Sequence, residues 1–381
     1  MSLNGAFIYS LMRNIRGFLF LTLLCQKMKK GINYIMVLLA VSCTGNGKDE
    51  VLSTFPDAVE LEAETVLDLE RYDIFSAQDF LKDNDGIYVF SPTQKAILSY
   101  IDLSTGEKQD CVFFGRGPGE LIKPTSLQFV DGRPSIYDIN KQVFASYERP
   151  VNNAGAFMPD TLASFHNPTP TEEYFYRLFI MEHTGYGMVT SGFLNGDWWY
   201  GLLNEDGTLV QGIEFEQFQA LENASALHKS NLHLSSVMSH DDRRGLFACA
   251  MINAAVISFS KIGEEGIEEI CRHKYYEPVL QAQASPGSPM LSYSGQSRRA
   301  FMDVEFYDGE LYVLYSGLPL TGQVPSESCS TLLVYDSEGK PKRCYSLSNP
   351  VVAIHFREGL LYGLCTWPES KIVSYKVLSR K

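Results

Sequence analysis

The sequence predicts an all-β protein, a six-bladed β-propeller whose N- and C-terminal strands close the ring in one blade. Short apolar and aromatic strands alternate with glycine turns, and amphipathic helix periodicity is weak. Six turns carry the repeat: Gly86, Gly132, Gly196, Gly245, Gly309 and Gly359. Intervals of 46 to 64 residues between them suit about four strands each, which is one blade. A two-sheet sandwich is the alternative, and it predicts shorter, less regular intervals.

The turns and the chain ends determine how the blades assemble. Asp or Asn before Gly favours hairpin turns, because the side chain bonds its own backbone and glycine accepts positive φ. One repeat cannot bury its sheet faces alone, so residues 57–381 are expected to form a single domain. We expect the last strand, within residues 371–377, to pair with an early strand within residues 63–75. That pairing would leave neither edge unpaired.

Several strings along the chain also carry a family resemblance. The order "LDLERYDIF", "DGIYVF", "FFGRGPGEL", "YGLLNEDGTLV" and "MDVEFYDGELYVLYSG" resembles the TolB-like six-bladed β-propeller lipoproteins of Gram-negative anaerobes, over most of residues 59–377. The resemblance implies a propeller that is exported as a lipoprotein. It implies no catalytic residues, because the activity of that family is unassigned.

The first 42 residues have the character of an export signal. They contain five basic and no acidic side chains, and the apolar run "INYIMVLLAV" precedes Ser42 and Cys43. We interpret residues 1–42 as an upstream extension plus a lipoprotein signal peptide that starts at Met28. A transmembrane anchor is the alternative, but neither apolar run reaches the roughly 20 residues of a membrane span.

Cys43 is the predicted lipidation site, and the acyl chains would anchor the protein to a membrane. Thr44, rather than aspartate, follows the cysteine, which favours the outer membrane, and the charged run "GNGKDE" resembles tags for export to the cell surface. Residues 43–56 are predicted to be a polar tether. The rest of the chain carries 27 basic and 45 acidic residues, a net charge of −18, which argues against nucleic-acid partners.

The string "CVFFGRGPGEL" is the most motif-like part of the sequence. No Lys-Ser or Lys-Thr follows it, and Glu120 occupies the third glycine position of a dinucleotide fingerprint, so both nucleotide-binding interpretations fail. We interpret it as a structural turn between the first two blades, formed by Gly115, Gly117, Pro118, Gly119 and Glu120. Arg116 is a candidate ligand-binding residue, and pairing between Arg116 and Glu120 is an alternative.

The other candidate ligand-binding residues are aromatic and basic. Trp198 and Trp199 are adjacent in a strand, so one is expected to pack between blades while the other faces outward. Arg298 and Arg299 end a turn-rich insert, residues 277–299, that is long enough to be an exposed loop. Six cysteines remain after Cys43, and Cys329 with Cys344 is the pair most suited to a disulfide, with buried free thiols as the alternative.

Neither a catalytic constellation nor a metal motif is recognisable. The group His228, His233 and His240 matches no zinc spacing, and surface or loop positions are expected for these side chains. Carboxylates recur at turns: Asp83, Asp85, Asp131, Asp241, Asp242 and Asp308. They already have a turn-forming role, so no cofactor is predicted, and a calcium ion is the alternative.

The sequence therefore favours a non-enzymatic, lipid-anchored outer-membrane propeller that binds a protein, peptide or glycan through one face. The alternative is a hydrolase or lyase in the central channel that uses carboxylates, with or without calcium. That alternative predicts acidic, amide or histidine side chains that converge at the ring axis.

Overall fold

The protein is described by a computed structural model that covers residues 49–148, 159–164, 174–183, 187–194, 198–222, 226–280 and 291–377. The predicted signal peptide and Cys43 lie outside the described residues. The chain from Asp49 onward forms one compact unit of six sheets, five with four strands and one with five. The predicted six-bladed, all-β architecture is confirmed.

The first three blades follow two N-terminal strands. These strands are β1 (Val59–Leu61) and β2 (Ala63–Asp68). Blade 1 contains β3 (Asp79–Lys82), β4 (Gly86–Phe90), β5 (Ala96–Asp102) and β6 (Lys108–Phe113). Blade 2 contains β7 (Pro124–Val130), β8 (Arg133–Asp138), β9 (Val143–Ser146) and β10 (Asp160–Ser164). Blade 3 contains β11 (Tyr174–Ile180), β12 (Met188–Leu194), β13 (Trp198–Leu203) and β14 (Leu209–Glu214).

The last three blades have the same antiparallel order. Blade 4 contains β15 (Ser236–Asp241), β16 (Leu246–Met251), β17 (Ala255–Gly263) and β18 (Gly266–Tyr276). Blade 5 contains β19 (Phe301–Tyr307), β20 (Glu310–Tyr315), β21 (Cys329–Tyr335) and β22 (Pro341–Val351). Blade 6 combines β23 (Ala353–Arg357), β24 (Leu360–Cys365) and β25 (Lys371–Tyr375) with β2.

Helical segments lie outside the blades. An α-helix, α1 (Ala226–Leu234), lies in the connection between blades 3 and 4, and the sequence did not predict it. Short 3₁₀ turns occur at Leu52–Thr54, Glu70–Tyr72, Gln219–Leu221 and Asp242–Arg244.

The ring closes through strands from both ends of the chain, as predicted. β2 pairs antiparallel with β25, so that Ala63 lies opposite Tyr375 and Asp68 lies opposite Lys371. β1 adds a fifth strand to blade 5 by pairing parallel with β22, which the sequence did not predict. Two neighbouring blades thus each hold an N-terminal strand, and both outer edges are covered.

The predicted turn repeat is correct in five blades. Five of the six glycines lie at the connection between the first and second strands of a blade. In the turn before β8, Asp131 and Gly132 have φ values of 49° and 74°, the left-handed pair of a type I′ hairpin. Gly196 was assigned to the wrong connection: it lies between β12 and β13, outside the described residues, whereas the corresponding connection of blade 3 runs from 181 to 187.

The core consists of six apolar clusters, one at each interface between neighbouring blades. Between blades 3 and 4, Trp199, Tyr200 and Phe247 are completely buried. Burial of a large apolar side chain stabilises a fold by about 1.5–3 kcal/mol. Because every cluster takes side chains from two blades, the ring folds as one domain.

The prediction that residues 43–56 form a polar tether is wrong for the described residues 49–56, which pack on the propeller. Val51 is completely buried in the cluster between blades 4 and 5, and the ring of Phe55 packs edge-on against Tyr335, with 5.0 Å between centroids. The Asp49 carboxylate accepts a hydrogen bond from the Tyr315 hydroxyl at 2.8 Å. From Asp49 onward, the segment is therefore docked on the propeller.

Candidate functional site

The central channel brings polar side chains from all six blades to one cavity. The innermost strands β3, β7, β11, β15, β19 and β23 line a cavity of about 260 Å³. Its polar lining comprises Asp79, Gln128, Arg177, Ser239, His240, Asp303, Glu305 and His355. The sequence singled out only one of these residues, His240, and predicted it to lie in a loop or at the surface.

Several of these side chains fasten one blade to the next. Asp303 accepts a hydrogen bond from the Ile354 backbone N–H at 2.8 Å, and Glu305 accepts one from Phe356 at 2.9 Å. Between blades 2 and 3, the Gln128 amide bonds both the N–H and the carbonyl of Ile180, at 2.9 and 3.1 Å. An innermost strand has one edge without a strand partner, so the preceding blade satisfies its backbone groups.

Two channel carboxylates form no salt bridge with the described residues. Burial raises the pKa of Asp79 to about 6, although the hydrogen bond from Phe80 and the charges of Arg177 and His355 oppose the shift. Burial, followed by repulsion from Asp79, raises the pKa of Asp303 well above its ordinary value. No salt bridge joins either carboxylate to a cation among the described residues. Both side chains therefore keep their protons to a higher pH than an ordinary aspartate does.

The basic side chains of the channel are only partly satisfied. Arg177 donates from Nη1 to the Thr125 carbonyl at 3.3 Å, and its Nε–H is buried without an acceptor among the described residues. His355 lies 3.1 Å from a Glu305 carboxylate oxygen. Burial lowers the pKa of His240, against the opposing charges of nearby carboxylates, so this imidazole is neutral near pH 7.

One predicted surface histidine lies in the core, and a turn carboxylate forms hydrogen bonds within its own turn. His233 is buried in the core, where its Nδ1 lies 2.6 Å from the Lys229 carbonyl, so the surface position predicted for it is wrong. Asp83 accepts hydrogen bonds from the N–H groups of Asp85 and Gly86 at its own turn. In the part of the chain that the structure describes, His, Cys, Asp and Glu form no group of three arranged to hold a metal ion.

The segment "GRGPGE" joins blades 1 and 2. Glu120 folds back so that its carboxylate accepts a hydrogen bond from the Gly117 N–H at 2.7 Å. A Cβ atom at Gly115 would lie 2.0 Å from a Glu120 oxygen, so only glycine leaves room for this carboxylate. Gly119 has a positive φ of 76°. Glu120 is therefore engaged with the turn backbone and not with Arg116.

Arg116 belongs to an exposed aromatic surface that we call the loop face, formed by the connections 69–78, 91–95, 114–123 and 366–370. The large exposed side chains on it are Phe75, Phe114 and Trp367, which are 60%, 59% and 40% exposed. Arg116 is exposed and makes no ion pair with any described residue. A cation and three aromatic rings are thus open to solvent on one side of blades 6, 1 and 2.

Backbone contacts make the loop face continuous. The Leu69 N–H donates to the Ser370 carbonyl at 3.0 Å, and the Gln94 side chain donates to the Asp73 carbonyl at 3.1 Å. The Phe114 N–H donates to the Lys95 carbonyl at 3.0 Å. Each of the four connections is therefore bonded to the next.

The tryptophan pair lies within blade interfaces. Trp199 is completely buried, and its indole N–H donates to Ser236 at 2.9 Å, so its prediction as a ligand-binding residue is corrected to a packing role. Trp198 is partly buried against the cluster between blades 2 and 3 and lies over Gly212. Trp198 remains a ligand-binding prediction, with one side of the ring already covered.

The two arginines of the predicted recognition insert have intramolecular partners. Arg298 forms salt bridges to Asp49 at 3.2 Å and Glu50 at 2.8 Å, and its guanidinium lies over the Tyr276 ring. Arg299 bonds the Asn253 side chain and pairs with Glu327 at 3.4 Å. Both arginines fasten segments of the fold together, so a ligand would have to displace these contacts.

The cysteines do not form the disulfide that the sequence suggested. All six cysteines from Cys111 to Cys365 are free thiols. Cys344 lies opposite Leu333, and Cys329 lies opposite Val351, so these two cysteines are not cross-strand partners. Among the described helices, none has the length and apolar content needed to cross a bilayer.

A signal for the channel residues was present in the sequence. Gln128, Glu305 and His355 each lie four residues before the turn glycine of their blade. Aligning the repeats on those glycines would have grouped the three side chains at one position of the innermost strand. Strand alternation places that position on one face of each strand.

Several solved structures of low sequence identity are similar to this chain. No curated protein sequence matches the chain at a significant level. A putative exported protein from Bacteroides fragilis has a similar structure, with 10% identity and a TM-score of 0.49 over 86% of this chain and 99% of that chain. A putative gluconolactonase has 12% identity and a TM-score of 0.47, over 87% of this chain and 96% of that chain. A luciferin-regenerating enzyme has 9% identity and a TM-score of 0.47, over 80% of this chain and 92% of that chain.

The family assignment rests on a sequence match. The model of the TolB-like 6-blade propeller-like family matches residues 108–359, which is more than half of the chain. The protein therefore belongs to the TolB-like six-bladed propeller family.

Proposed function

We propose that the protein is an outer-membrane lipoprotein whose propeller binds a polypeptide partner through the loop face. The predicted lipidation of Cys43 and the basic and then apolar order of the leader support this location. The exposure of Phe75, Phe114 and Trp367, together with an Arg116 that forms no ion pair with the described residues, carries the binding proposal. Aromatic and arginine side chains are enriched in protein interfaces and supply much of their binding energy.

A polypeptide fits this surface better than the other predicted partners. The three rings stand on separate connections, as anchors for several apolar side chains would, whereas one sugar ring needs a single stacking surface. Arg116 adds a cation for a partner carboxylate, on a protein with an acidic net charge. The partner we expect is an extended or helical segment with apolar and acidic residues.

Peptide and glycan arrays test the proposal directly. The probe is the chain from residue 49 onward, which forms one compact unit with its own core. Peptides with apolar and acidic residues should bind, and Phe75→Ala/Phe114→Ala/Trp367→Ala should weaken binding at least tenfold. The control is Leu103→Ala/Val210→Ala, which removes exposed apolar side chains outside the loop face. Equal binding by the triple variant, glycan binding alone, or no peptide bound would contradict the proposal.

The lipid anchor requires its own experiment. In cells, Cys43→Ala should move the protein from the membrane fraction to the soluble fraction. Retention of this variant in the membrane fraction would show that the lipoprotein assignment is wrong.

A hydrolase or lyase in the channel is a second candidate function. The convergence of Asp79, Asp303, Glu305 and His355 at the ring axis favours it. However, Asp303 and Glu305 already hold the backbone of blade 6, which restricts their movement in a reaction. Chemical conversion of a channel ligand, with loss of conversion in Asp79→Asn, would support catalysis over binding.

A further inference from the structure

The channel and the loop face are separate surfaces, and the channel has its own chemical character. Three carboxylates line the cavity, those of Asp79, Asp303 and Glu305, whereas Arg177 is its permanent cation. His355 accompanies Glu305 at 3.1 Å, and no comparable partner serves Asp79 or Asp303 among the described residues. The cavity therefore has an excess of acidic groups that a ligand cation would balance.

An unsatisfied donor lies in the same cavity. The buried Nε–H of Arg177 finds no acceptor among the described residues, and Nη1 makes one long bond to a backbone carbonyl. A buried donor without a partner is unfavourable, so a water, an ion or a ligand group that accepts its hydrogen bond would stabilise the site. Because Arg177 is a cation, its best partner is an anionic oxygen.

We propose that the channel binds a small zwitterion of the α-amino acid class, with its ammonium group at Asp79 and Asp303 and its carboxylate at Arg177. The acidic excess and the arginine donor are independent observations, and they require opposite charges on one ligand. A simple amine would leave Arg177 unsatisfied, and a simple acid would add a negative charge beside two carboxylates. A metal ion would not accept a hydrogen bond from Arg177. The described acidic groups of the channel are also not arranged as a set of metal ligands.

Size and apolar lining agree with this ligand class. The cavity of about 260 Å³ is smaller than the roughly 300–1,000 Å³ of drug-sized sites, which suits a single amino acid. Phe80, Phe129 and Phe179 also line the cavity, so an apolar side chain on the ligand would find aromatic contacts. L-Leucine is therefore a suitable first probe.

Calorimetry with three matched probes tests the proposal on the chain from residue 49 onward. L-Leucine carries both charges, 3-methylbutylamine lacks the carboxylate, and 4-methylpentanoate lacks the ammonium group. We expect L-leucine, or another L-amino acid tested in the same way, to bind at least tenfold more tightly than either single-charge probe. Absence of binding by every L-amino acid at millimolar concentration would overturn the proposal.

Variants assign the binding to the channel. Asp79→Asn and Arg177→Met should each weaken amino-acid binding at least tenfold, whereas the exposed control Asp57→Asn should bind as the wild type does. Asp79→Asn keeps an acceptor for the Phe80 N–H, and its unfolding midpoint at pH 8 should not fall below that of the wild type. Unchanged binding in a folded Asp79→Asn variant would overturn the proposal.

Two further outcomes separate this site from the alternatives. If calcium ions raise the unfolding midpoint and amino acids do not, the channel is a metal site and the proposal is wrong. Mass spectrometry of the recovered ligand should show it unchanged, because the proposal is for binding alone. Loss of peptide binding in the loop-face variant, with amino-acid binding intact, would show that the two sites are independent.

Discussion

Two polar clusters in this protein solve the problem of buried charge differently. Between blades 3 and 4, Arg272 pairs with Glu216 at 3.1 Å and with Glu269 at 2.8 Å, so each charge has a close partner. In the channel, Asp79 and Asp303 have no such partner, and burial raises the pKa of both. The first cluster, which we call the blade 3–4 network, is complete without a ligand, whereas the channel is not.

The difference teaches which kind of polar cluster holds the fold together and which kind is available for binding. The blade 3–4 network extends through Tyr200, whose hydroxyl lies 2.7 Å from both Ser258 and Ser260. A network in which every polar group has a partner makes its surroundings rigid. In a network that lacks some partners, a ligand that supplies them can bind favourably. Removing a charge should therefore have opposite effects in the two regions.

The largest expected effect is in the blade 3–4 network. Arg272→Met should lower the free energy of unfolding by about 2–4 kcal/mol, because Glu269 loses its cation and Glu216 keeps only Lys274. The control is Arg71→Met, which breaks an exposed pair with Asp68 and should cost about 0–1 kcal/mol. Urea unfolding at pH 7 measures both. Equal losses would show that the network is no more than a set of surface ion pairs.

Neutralising a channel carboxylate should stabilise the protein. Because the folded pKa of Asp79 is about 6, above the ordinary value, the folded state binds this proton more tightly than the unfolded state does. That contribution to stability is complete below about pH 4 and is lost as the pH rises through about 6. Asp79→Asn should therefore be about 1–2 kcal/mol more stable than the wild type at pH 8, and equal to it near pH 4.

The charged and titratable groups that face position 79 are the same in the wild type and in Asp79→Asn. They are Arg177 on β11, His240 on β15, Asp303 and Glu305 on β19, and His355 on β23. Asp57→Asn, at an exposed position, should leave the pH dependence unchanged. Lower stability of Asp79→Asn than of the wild type at pH 8 would contradict the account of the channel.

The smallest effect concerns the buried hydroxyl of the blade 3–4 network. Tyr200→Phe removes the bonds to Ser258 and Ser260 and should cost about 1 kcal/mol in urea unfolding. Burial raises the pKa of Tyr200 well above its usual value, so this loss should be constant between pH 5 and pH 8. Amino-acid affinity should not change, since Tyr200 does not line the channel cavity. A change in that affinity would mean that the two clusters are coupled.

The fold was predictable because its signals are local. Turn residues such as Asp131 and Gly132 specify a hairpin within a few positions, and the repeat of these turns gives the number of blades. The closure by β2 and β25 followed from the need to cover two edges. The parallel pairing of β1 with β22 depends on register between distant segments, for which no local pattern exists.

The channel was not predictable for a different reason. Asp79 and Asp303 belong to blades 1 and 5, and only the closed ring brings their charges together. Trp199 shows the opposite kind of error. The sequence suggested a ligand-binding side chain, but Trp199 is completely buried in the interface between two blades. Whether a side chain faces the axis, a neighbouring blade or solvent depends on the ring, not on the residue type.

The charge state of Asp79 is the most direct test of the distinction between the two clusters. Selective ¹³C labelling of aspartate carboxyl groups, with Asp79→Asn to assign the resonance, gives its pKa by NMR titration. We expect a pKa of about 6 for Asp79 without ligand, and a lower pKa when an amino acid places its ammonium group beside the carboxylate. An ordinary aspartate pKa near 4 in the ligand-free protein would contradict it.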